Sequence, residues 1–368
     1  MARMFVFAVV VLVSASTVFA QEGGMEPTAP DPAAIRTVVA NAVDDFIRPG
    51  YRNFHDAAGG LAESMETLCA DPSPATLAEA RKSYTAAAAS WARIEIVRTG
   101  PAIEQNRFER IQFYPDRKST GLKQVQALLA KPDENATSPE GLSGKSVAMQ
   151  GFGALEFVLS GTGAEALASD PESFRCRYGL AVSRNIQQIA ADLVALWNAP
   201  DGVQKAWKEP GPDNPVFRTE QEAMTALLGI LVHGAEMVRD QRIEAFYKGD
   251  GKPIFPKQAI FWRSGNSWTM IAGNLEGLRD LIAASGMAAL LSEDQRAAII
   301  GSADFVLASM LRVTAQMDTN METVTSDEKE RRKLDFLLVN GRDLIGRLND
   351  DFGGAIGLTS GFSFSDGD

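Results

Sequence analysis

Histidine and cysteine are scarce in this chain, which has only two of each among 368 residues. Two cysteines are too few for a zinc finger, a cysteine-rich metal cluster or a disulfide-dense scaffold. A His-Glu-x-x-His pattern, which would indicate a thermolysin-like zinc site, does not occur. Any chemistry that needs an imidazole must therefore use His55 or His233.

Positive charge is also in deficit. The chain carries 36 Lys and Arg residues against 47 Asp and Glu residues, a net charge of −11. Binding to nucleic acid or to an anionic membrane depends on basic side chains that neutralise phosphates. We therefore expect no nucleic-acid partner. A hydrophobic fraction of 45% and a charged fraction of 23% are typical of a globular protein.

Long hydrophobic runs are missing except at the start of the chain. Residues 5–16 form an apolar run that is too short to span a bilayer. A basic start precedes this run, and small side chains at Val18 and Ala20 follow it, as in a cleavable secretory signal. We therefore predict a signal peptide over residues 1–20, cleaved after Ala20, a flexible leader over 21–32, and a periplasmic mature protein without a transmembrane segment.

The two cysteines, Cys69 and Cys176, can be interpreted in two ways. An oxidising compartment favours one disulfide between them. The alternative is a pair of buried free thiols, and the sequence alone leaves both open.

Helical signals dominate the rest of the chain, and period-two strand patterns are rare. Asp31-Pro32 and Ser73-Pro74 are typical helix starts, and Thr219 to Glu222 matches a capping box. Pro49-Gly50 is expected to interrupt the first long helical stretch. The predicted helices cover residues 33–48, 51–70, 74–98, 119–131, 144–160, 171–198, 218–247, 263–284, 293–317 and 326–350.

This pattern predicts an all-α fold, most simply two four-helix-bundle-like domains. Residues 199–217 hold four prolines and two glycines, so we predict a linker there. The N-terminal bundle would cover residues 33–198 and the C-terminal bundle 218–368. The Gly/Asp-rich tail is expected to dock through Phe352, Phe362 and Phe364.

The segment 150–161 is the most informative part of the chain. Glu156 lies on or beside an apolar stripe that includes Phe152 and Leu159, so its carboxylate would be buried and would need partners or a proton. Gly151 and Gly153 are predicted one turn earlier in the same helix, where glycine is costly unless another segment approaches closely. The alternative is a simple helix crossing with Glu156 in solvent.

This segment resembles the imelysin family of bacterial envelope proteins, whose Gly-x-His-x-x-Glu motif lies within a helix. Here the sequence reads Gly151-Phe-Gly153-Ala-Leu-Glu156, so a glycine stands at the histidine position. Other pieces are similar to the family in the same order: Trp91-Ala-Arg93, Phe113-Tyr-Pro-Asp116, and the ending over residues 358–368.

The resemblance implies two helical bundles of four-helix type with a site at their interface. It also implies a metallopeptidase or an iron-regulated envelope protein. The sequence does not identify a cofactor, and the candidate is iron or another divalent metal. Loss of the motif histidine leaves Glu156 a poor ligand set for a transition metal. The space at Gly153 could instead form a pocket that is filled by water or by a side chain of the other domain.

Candidate ligand-binding residues besides Gly151, Gly153 and Glu156 are Arg93, Asp116, Arg263, Ser264 and Asn266. Arg93 and Arg263 could each pair with a buried carboxylate, either Glu156 or Asp116. The alternative for the segment 262–268 is that Ser264 or Asn266 simply caps a helix.

A second His-x-x-Glu pair, His233 and Glu236, lies in the other half of the chain. His233 or His55 could replace the missing imidazole as a metal ligand, although both are also expected as ordinary polar surface residues. Glu95 and Arg98 are predicted to lie on a solvated helix face.

Three functions remain in view. The first is a non-peptidase imelysin-like binding or accessory protein linked to iron acquisition, whose partner is a small ligand, a metal or an envelope protein. The second is an active metallopeptidase that uses His233 or His55. The third is a structural interaction module of the cell envelope.

Overall fold

The computed structural model describes residues 30–171 and 173–358. The predicted signal peptide, most of the leader, and Phe362 and Phe364 of the tail lie outside these residues. The described part of the chain consists of helices and loops, with no strand. The all-α prediction is confirmed.

The described residues form fifteen α-helices, which are joined by shorter 3₁₀ and π segments. The α-helices are α1 Pro32–Asn41, α2 Arg48–Ala70, α3 Pro74–Ile94, α4 Arg107–Ile111, α5 Thr120–Ala130, α6 Pro139–Ser143, α7 Phe152–Ser160, α8 Phe174–Asn198, α9 Val203–Lys208, α10 Glu220–Glu236, α11 Ser267–Ser285, α12 Glu293–Gln295, α13 Ser302–Thr314, α14 Met321–Ser326 and α15 Glu328–Gly346. The π segments are Ala42–Ile47, Met237–Ile243, Arg296–Gly301 and Arg347–Gly353.

Helix starts follow the predicted capping signals. The Asp31 side chain accepts a hydrogen bond from the Ala33 N–H and begins α1, while Ser73 forms a capping box at α3. Thr219 accepts from the Glu222 N–H at the start of α10. These bonds satisfy backbone donors that a helix leaves unpaired at its first turn.

The expected break at Pro49-Gly50 is wrong. The π segment Ala42–Ile47 leads directly from α1 into α2, and Pro49 lies in the first turn of α2. Proline has no N–H, so one backbone hydrogen bond of a regular helix is missing at Pro49. The wider π turn before it accommodates this loss, and the chain stays helical through this point.

A disulfide joins Cys69 near the end of α2 to Cys176 near the start of α8, with the two Cα atoms 5.5 Å apart. Helix α2 packs against both α3 and α8, which places the bond at one end of this three-helix group.

The two halves of the chain pack directly against each other through α3 and α11. A Cβ atom at Gly273 would lie 2.6 Å from the Ala92 Cβ, and one at Gly277 would lie 2.1 Å from the Arg93 carbonyl oxygen. Glycine at these two positions therefore permits the close approach. Buried apolar side chains form one continuous cluster through both halves, and the division into two domains stays a prediction.

The segment predicted as a linker folds onto the N-terminal helices. It contains α9, whose Trp207 is buried against Phe217 with ring centroids 4.9 Å apart. Lys208 at the end of α9 donates a hydrogen bond to Asp44.

In the described residues, Glu293–Thr314 is the one stretch with the length and hydropathy of a membrane span, and a third of its most apolar 18 residues is buried. Its last helix, α13, packs against α11 and α15. A core helix of a soluble protein has the same composition, so this is weak evidence for a span. At the end of the described chain Phe352 is fully buried.

Candidate functional site

The site around Glu156 begins with an unusual turn at Gly151. This residue is the N-cap of α7 and is extended, with φ −126° and ψ −162°. A Cβ atom there would lie 2.1 Å from the Ile111 carbonyl oxygen. The prediction that Gly151 lies inside the helix is therefore wrong, but the expected close approach of another backbone segment is present.

Glu156 lies in α7 and is buried, with 3% of its surface exposed. Its Oε1 accepts hydrogen bonds from the Arg263 N–H at 2.9 Å and the Ser264 N–H at 3.1 Å, and the Ser264 hydroxyl lies 3.3 Å away. Arg263 Nη1 lies 3.5 Å from Oε2. Of the predicted partners, the structure thus brings Arg263 and Ser264 to Glu156.

The loop before α11 shapes this contact, because α11 begins at Ser267 and not at residue 263 as predicted. Phe261 and Gly265 adopt left-handed backbone conformations, with φ of +52° and +73°. The Phe261 ring is buried edge-on against Tyr84 and Phe152. This anchored turn holds two consecutive N–H groups toward the Glu156 carboxylate.

Burial raises the pKa of the Glu156 carboxyl above its ordinary value of 4.5, because a buried carboxylate loses its hydration. The Arg263 guanidinium and the hydrogen bonds from the loop oppose this rise but do not cancel it. Burial also raises the pKa of Tyr84 well above its ordinary value, and the nearby Glu156 charge adds to that effect.

This shift predicts how stability depends on pH. The folded state holds the Glu156 proton more tightly than the unfolded state, so as pH rises through 4.5 toward the raised pKa, ionisation favours unfolding. We expect the wild type to lose stability relative to Glu156→Gln across that interval, and the difference to be constant above it. Urea unfolding of both proteins at a series of pH values measures the effect. A difference in stability between the two proteins that does not change with pH would contradict the raised pKa of Glu156.

A cavity of about 100 Å³ lies beside Glu156. Gly153 lines it and is exposed, and a Cβ atom at this position would meet nothing within 4 Å. Asp116, Lys257 and Arg263 also line it. The position of the motif histidine is therefore open space on a cavity wall.

Asp116 binds the backbone at the start of a helix beside this cavity. Its carboxylate accepts hydrogen bonds from the N–H groups of Thr120 at 2.6 Å and Gly121 at 2.9 Å, at the start of α5. Asn266 stands at the N-cap position of α11 without a capping hydrogen bond from its side chain. The alternative in which Ser264 or Asn266 caps α11 is therefore wrong, because the Ser264 groups face Glu156.

Arg93 lies elsewhere, and the prediction that it pairs with Glu156 or Asp116 is wrong. Its half-exposed guanidinium forms ion pairs with Asp280 and Glu276 of α11. Arg93 lies on the face of α3 that packs against α11, so its nearest carboxylates belong to α11.

The two histidines also lie away from the Glu156 cavity. His55 Nδ1 lies 3.1 Å from Asp56, and the ring is exposed. His233 Nδ1 lies 3.0 Å from Glu236 Oε2, and this pair lines a different cavity beside α10. Neither imidazole replaces the missing motif histidine at Glu156.

The residues at the Glu156 cavity do not fit iron or another divalent cation. Glu156 Oε1 is occupied by donors from the loop, and Asp116 is occupied by the start of α5. In the described ranges no group of three or more His, Cys, Asp and Glu side chains could hold a metal ion.

Sequence reasoning missed a buried ionic network between the two halves. Glu95 is buried, which contradicts the predicted solvated face, and its Oε1 lies 2.7 Å from Arg242 Nη2. Asn274 Nδ2 donates to the same oxygen at 2.7 Å. Trp91, one turn earlier on the chain, is also buried, and this spacing was the signal available in the sequence.

Comparison with known proteins agrees with this architecture. The chain is similar to the crystal structure of an imelysin-like protein from Psychrobacter arcticum 273-4, with a TM-score of 0.75 and 20% identity over 91% of this chain and 100% of that one. It is also similar to a structure described as a "putative iron-regulated protein A precursor" from Parabacteroides distasonis ATCC 8503, with a TM-score of 0.68 and 15% identity over 91% and 96%.

At these identities the two structures support the fold alone. No curated protein matches the chain. The Imelysin family model (Peptidase M75) matches residues 47–346, a range that contains the altered motif, Glu156 and the loop that binds it. The chain belongs to the imelysin family.

Proposed function

We propose that this protein is a non-peptidase binding or accessory protein of the bacterial cell envelope, exported to the periplasm and linked to iron acquisition. Its ligand pocket is the cavity between Glu156 and the loop that holds it. One observation carries the proposal: Gly153 stands in open space at the family's histidine position, while Glu156 is retained and bound by Arg263 and Ser264.

The cavity chemistry suits one end of a carboxylate-bearing ligand. Its volume of about 100 Å³ admits a small group rather than a whole peptide. Lys257 and Arg263 line it, and both lie over the Trp262 ring, at 5.6 Å and 4.4 Å. Guanidinium groups bind carboxylates through strong, charge-assisted hydrogen bonds.

The link to iron rests on two observations. The Parabacteroides distasonis structure carries an iron-regulated description, and the sequence predicts export through residues 1–20. Since the cavity's own residues do not fit a bare cation, we propose that iron arrives as a complex with an organic carboxylate.

Calorimetry tests this proposal, with citrate and ferric citrate as probes for the mature, untagged protein. We expect binding that Arg263→Gln weakens about tenfold or more, since a hydrogen bond to a charged group contributes about 1.5–3 kcal/mol. The matched control is Arg93→Gln, whose side chain lies outside the cavity and should leave binding unchanged. Equal binding by both variants and the wild type would refute the pocket.

A peptidase assay on the wild type and on Glu156→Gln separates the alternatives. We expect no cleavage by the wild type or by Glu156→Gln. Metal-dependent cleavage that Glu156→Gln abolishes would favour the metallopeptidase. Absence of any probe binding together with absence of cleavage would favour the structural interaction module.

A further inference from the structure

A second, larger cavity lies where the segment that follows α3 faces α10. Its volume is about 570 Å³, and it lies between residues 95–103 and one face of α10. This volume falls within the range of small-molecule sites in proteins. It shares no lining residue with the cavity at Glu156.

Apolar side chains form most of the wall. Ile103 and Val216 lie at its rim and are 45% and 56% exposed. Ile96, Ile230 and Met237 continue the apolar surface inward. A ligand with an apolar body would bury this surface.

The charged lining is mostly negative. Four carboxylates border the cavity, those of Glu95, Glu222, Glu236 and Asp240, against the single guanidinium of Arg98. Arg98 forms an ion pair with Glu109. Arg242 pairs with Glu95 and Arg239 pairs with Asp240. The remaining carboxylates, those of Glu222 and Glu236, favour a cationic ligand over an anionic one.

Two of these carboxylates are held in fixed positions by their neighbours. The Glu95 side chain is fully buried, and its Oε2 accepts no hydrogen bond from the described residues, which is costly for a buried carboxylate oxygen. Glu236 Oε2 fixes the orientation of the His233 ring at 3.0 Å. Gly229 lies next to that ring, so the absence of a side chain there leaves room at His233 Nε2.

We propose that this cavity is a second ligand site, which takes a small organic ammonium ion with an aromatic or branched apolar body. The apolar wall holds the body, and the Glu236 carboxylate binds the ammonium group, since Arg239 already holds both oxygens of Asp240. This site is independent of the pocket at Glu156.

Two indole compounds of matched shape and opposite charge test the proposal by calorimetry on the full mature protein. Tryptamine carries an ammonium group, and indole-3-propionate carries a carboxylate. We expect tryptamine to bind at least about tenfold more tightly, a ratio that corresponds to about 1.4 kcal/mol. Higher salt should reduce the ratio, because ions screen exposed charges.

Variants then locate the site. Glu236→Gln removes one charge at constant shape and should weaken tryptamine binding about tenfold, or 1.4 kcal/mol. The control Glu276→Gln removes a carboxylate outside the cavity and should leave binding unchanged, as should Glu156→Gln. Thr225→Trp places a bulky ring on the cavity wall and should abolish binding of tryptamine, with circular dichroism as the check on folding.

Three results would overturn the proposal: equal affinity for the two indole compounds, no binding of either at millimolar concentration, or unchanged tryptamine binding in folded Thr225→Trp. Loss of tryptamine binding in Glu156→Gln would instead place the ligand in the other pocket. Failure here leaves the citrate test of the Glu156 pocket unaffected.

Discussion

Replacement of Arg242 by methionine is expected to destabilise the protein by about 3–5 kcal/mol, because it leaves the carboxylate of Glu95 buried without its cation. Both side chains are almost fully inaccessible to solvent, and their closest atoms are 2.7 Å apart. Asn274 would remain as the donor to Glu95, but a neutral amide does not balance a full charge. Urea unfolding measures the loss.

Arg93→Met is the matched control. This arginine bridges α3 and α11, and its side chain is 52% exposed. Exposed ion pairs contribute about 0–1 kcal/mol, so the control should be near the wild type. A similar small loss in both variants would show that the Glu95 network does not stabilise the contact between the two halves of the chain.

Gly151→Ala is expected to have the second large effect, a loss near the upper end of about 1–3 kcal/mol. The new methyl group would lie 2.1 Å from the Ile111 carbonyl oxygen and 2.6 Å from that of Arg110. Both contacts are with backbone, so relief requires the segment before residue 112 to move away from α7. Thermal and urea unfolding give the size of the loss.

Gly153→Ala, two residues further on, provides the control. The added methyl group meets nothing within 4 Å, and the residue is in the first turn of a helix. Such a replacement restricts the unfolded chain and stabilises by about 0.4–1 kcal/mol. A loss of stability in Gly151→Ala together with a gain in Gly153→Ala would support the geometry described for these two residues. Equal losses of stability would contradict it.

Much of the fold could be predicted from local sequence. The caps at Asp31, Ser73 and Thr219 act on their own helices, so the residues within one turn were sufficient. The break expected at Pro49 is wrong because the π turn before it accommodates a residue that has no N–H to donate.

The site was predicted only in part, for a physical reason. A carboxylate on an apolar stripe indicates burial, and this was correct for Glu156. Which partner it meets depends on packing between segments more than 100 residues apart. Arg263 reaches Glu156 because the chain turns sharply at Phe261, whereas Arg93 faces α11 and pairs there.

The Glu95 network shows the same limit. Its three side chains come from three distant segments, and charged residues at Glu95 and Arg98 resemble a solvated face when read alone. The packing of α3 against α11, together with the π segment that carries Arg242, makes this position internal.

Zinc titration of the mature, untagged wild type and of Glu156→Gln is the most direct test of whether the Glu156 carboxylate binds a metal ion. The account predicts no stoichiometric zinc binding that depends on Glu156, because the loop donors and Arg263 occupy its carboxylate and no imidazole stands at residue 153. One equivalent of zinc bound by the wild type and lost in Glu156→Gln would contradict it.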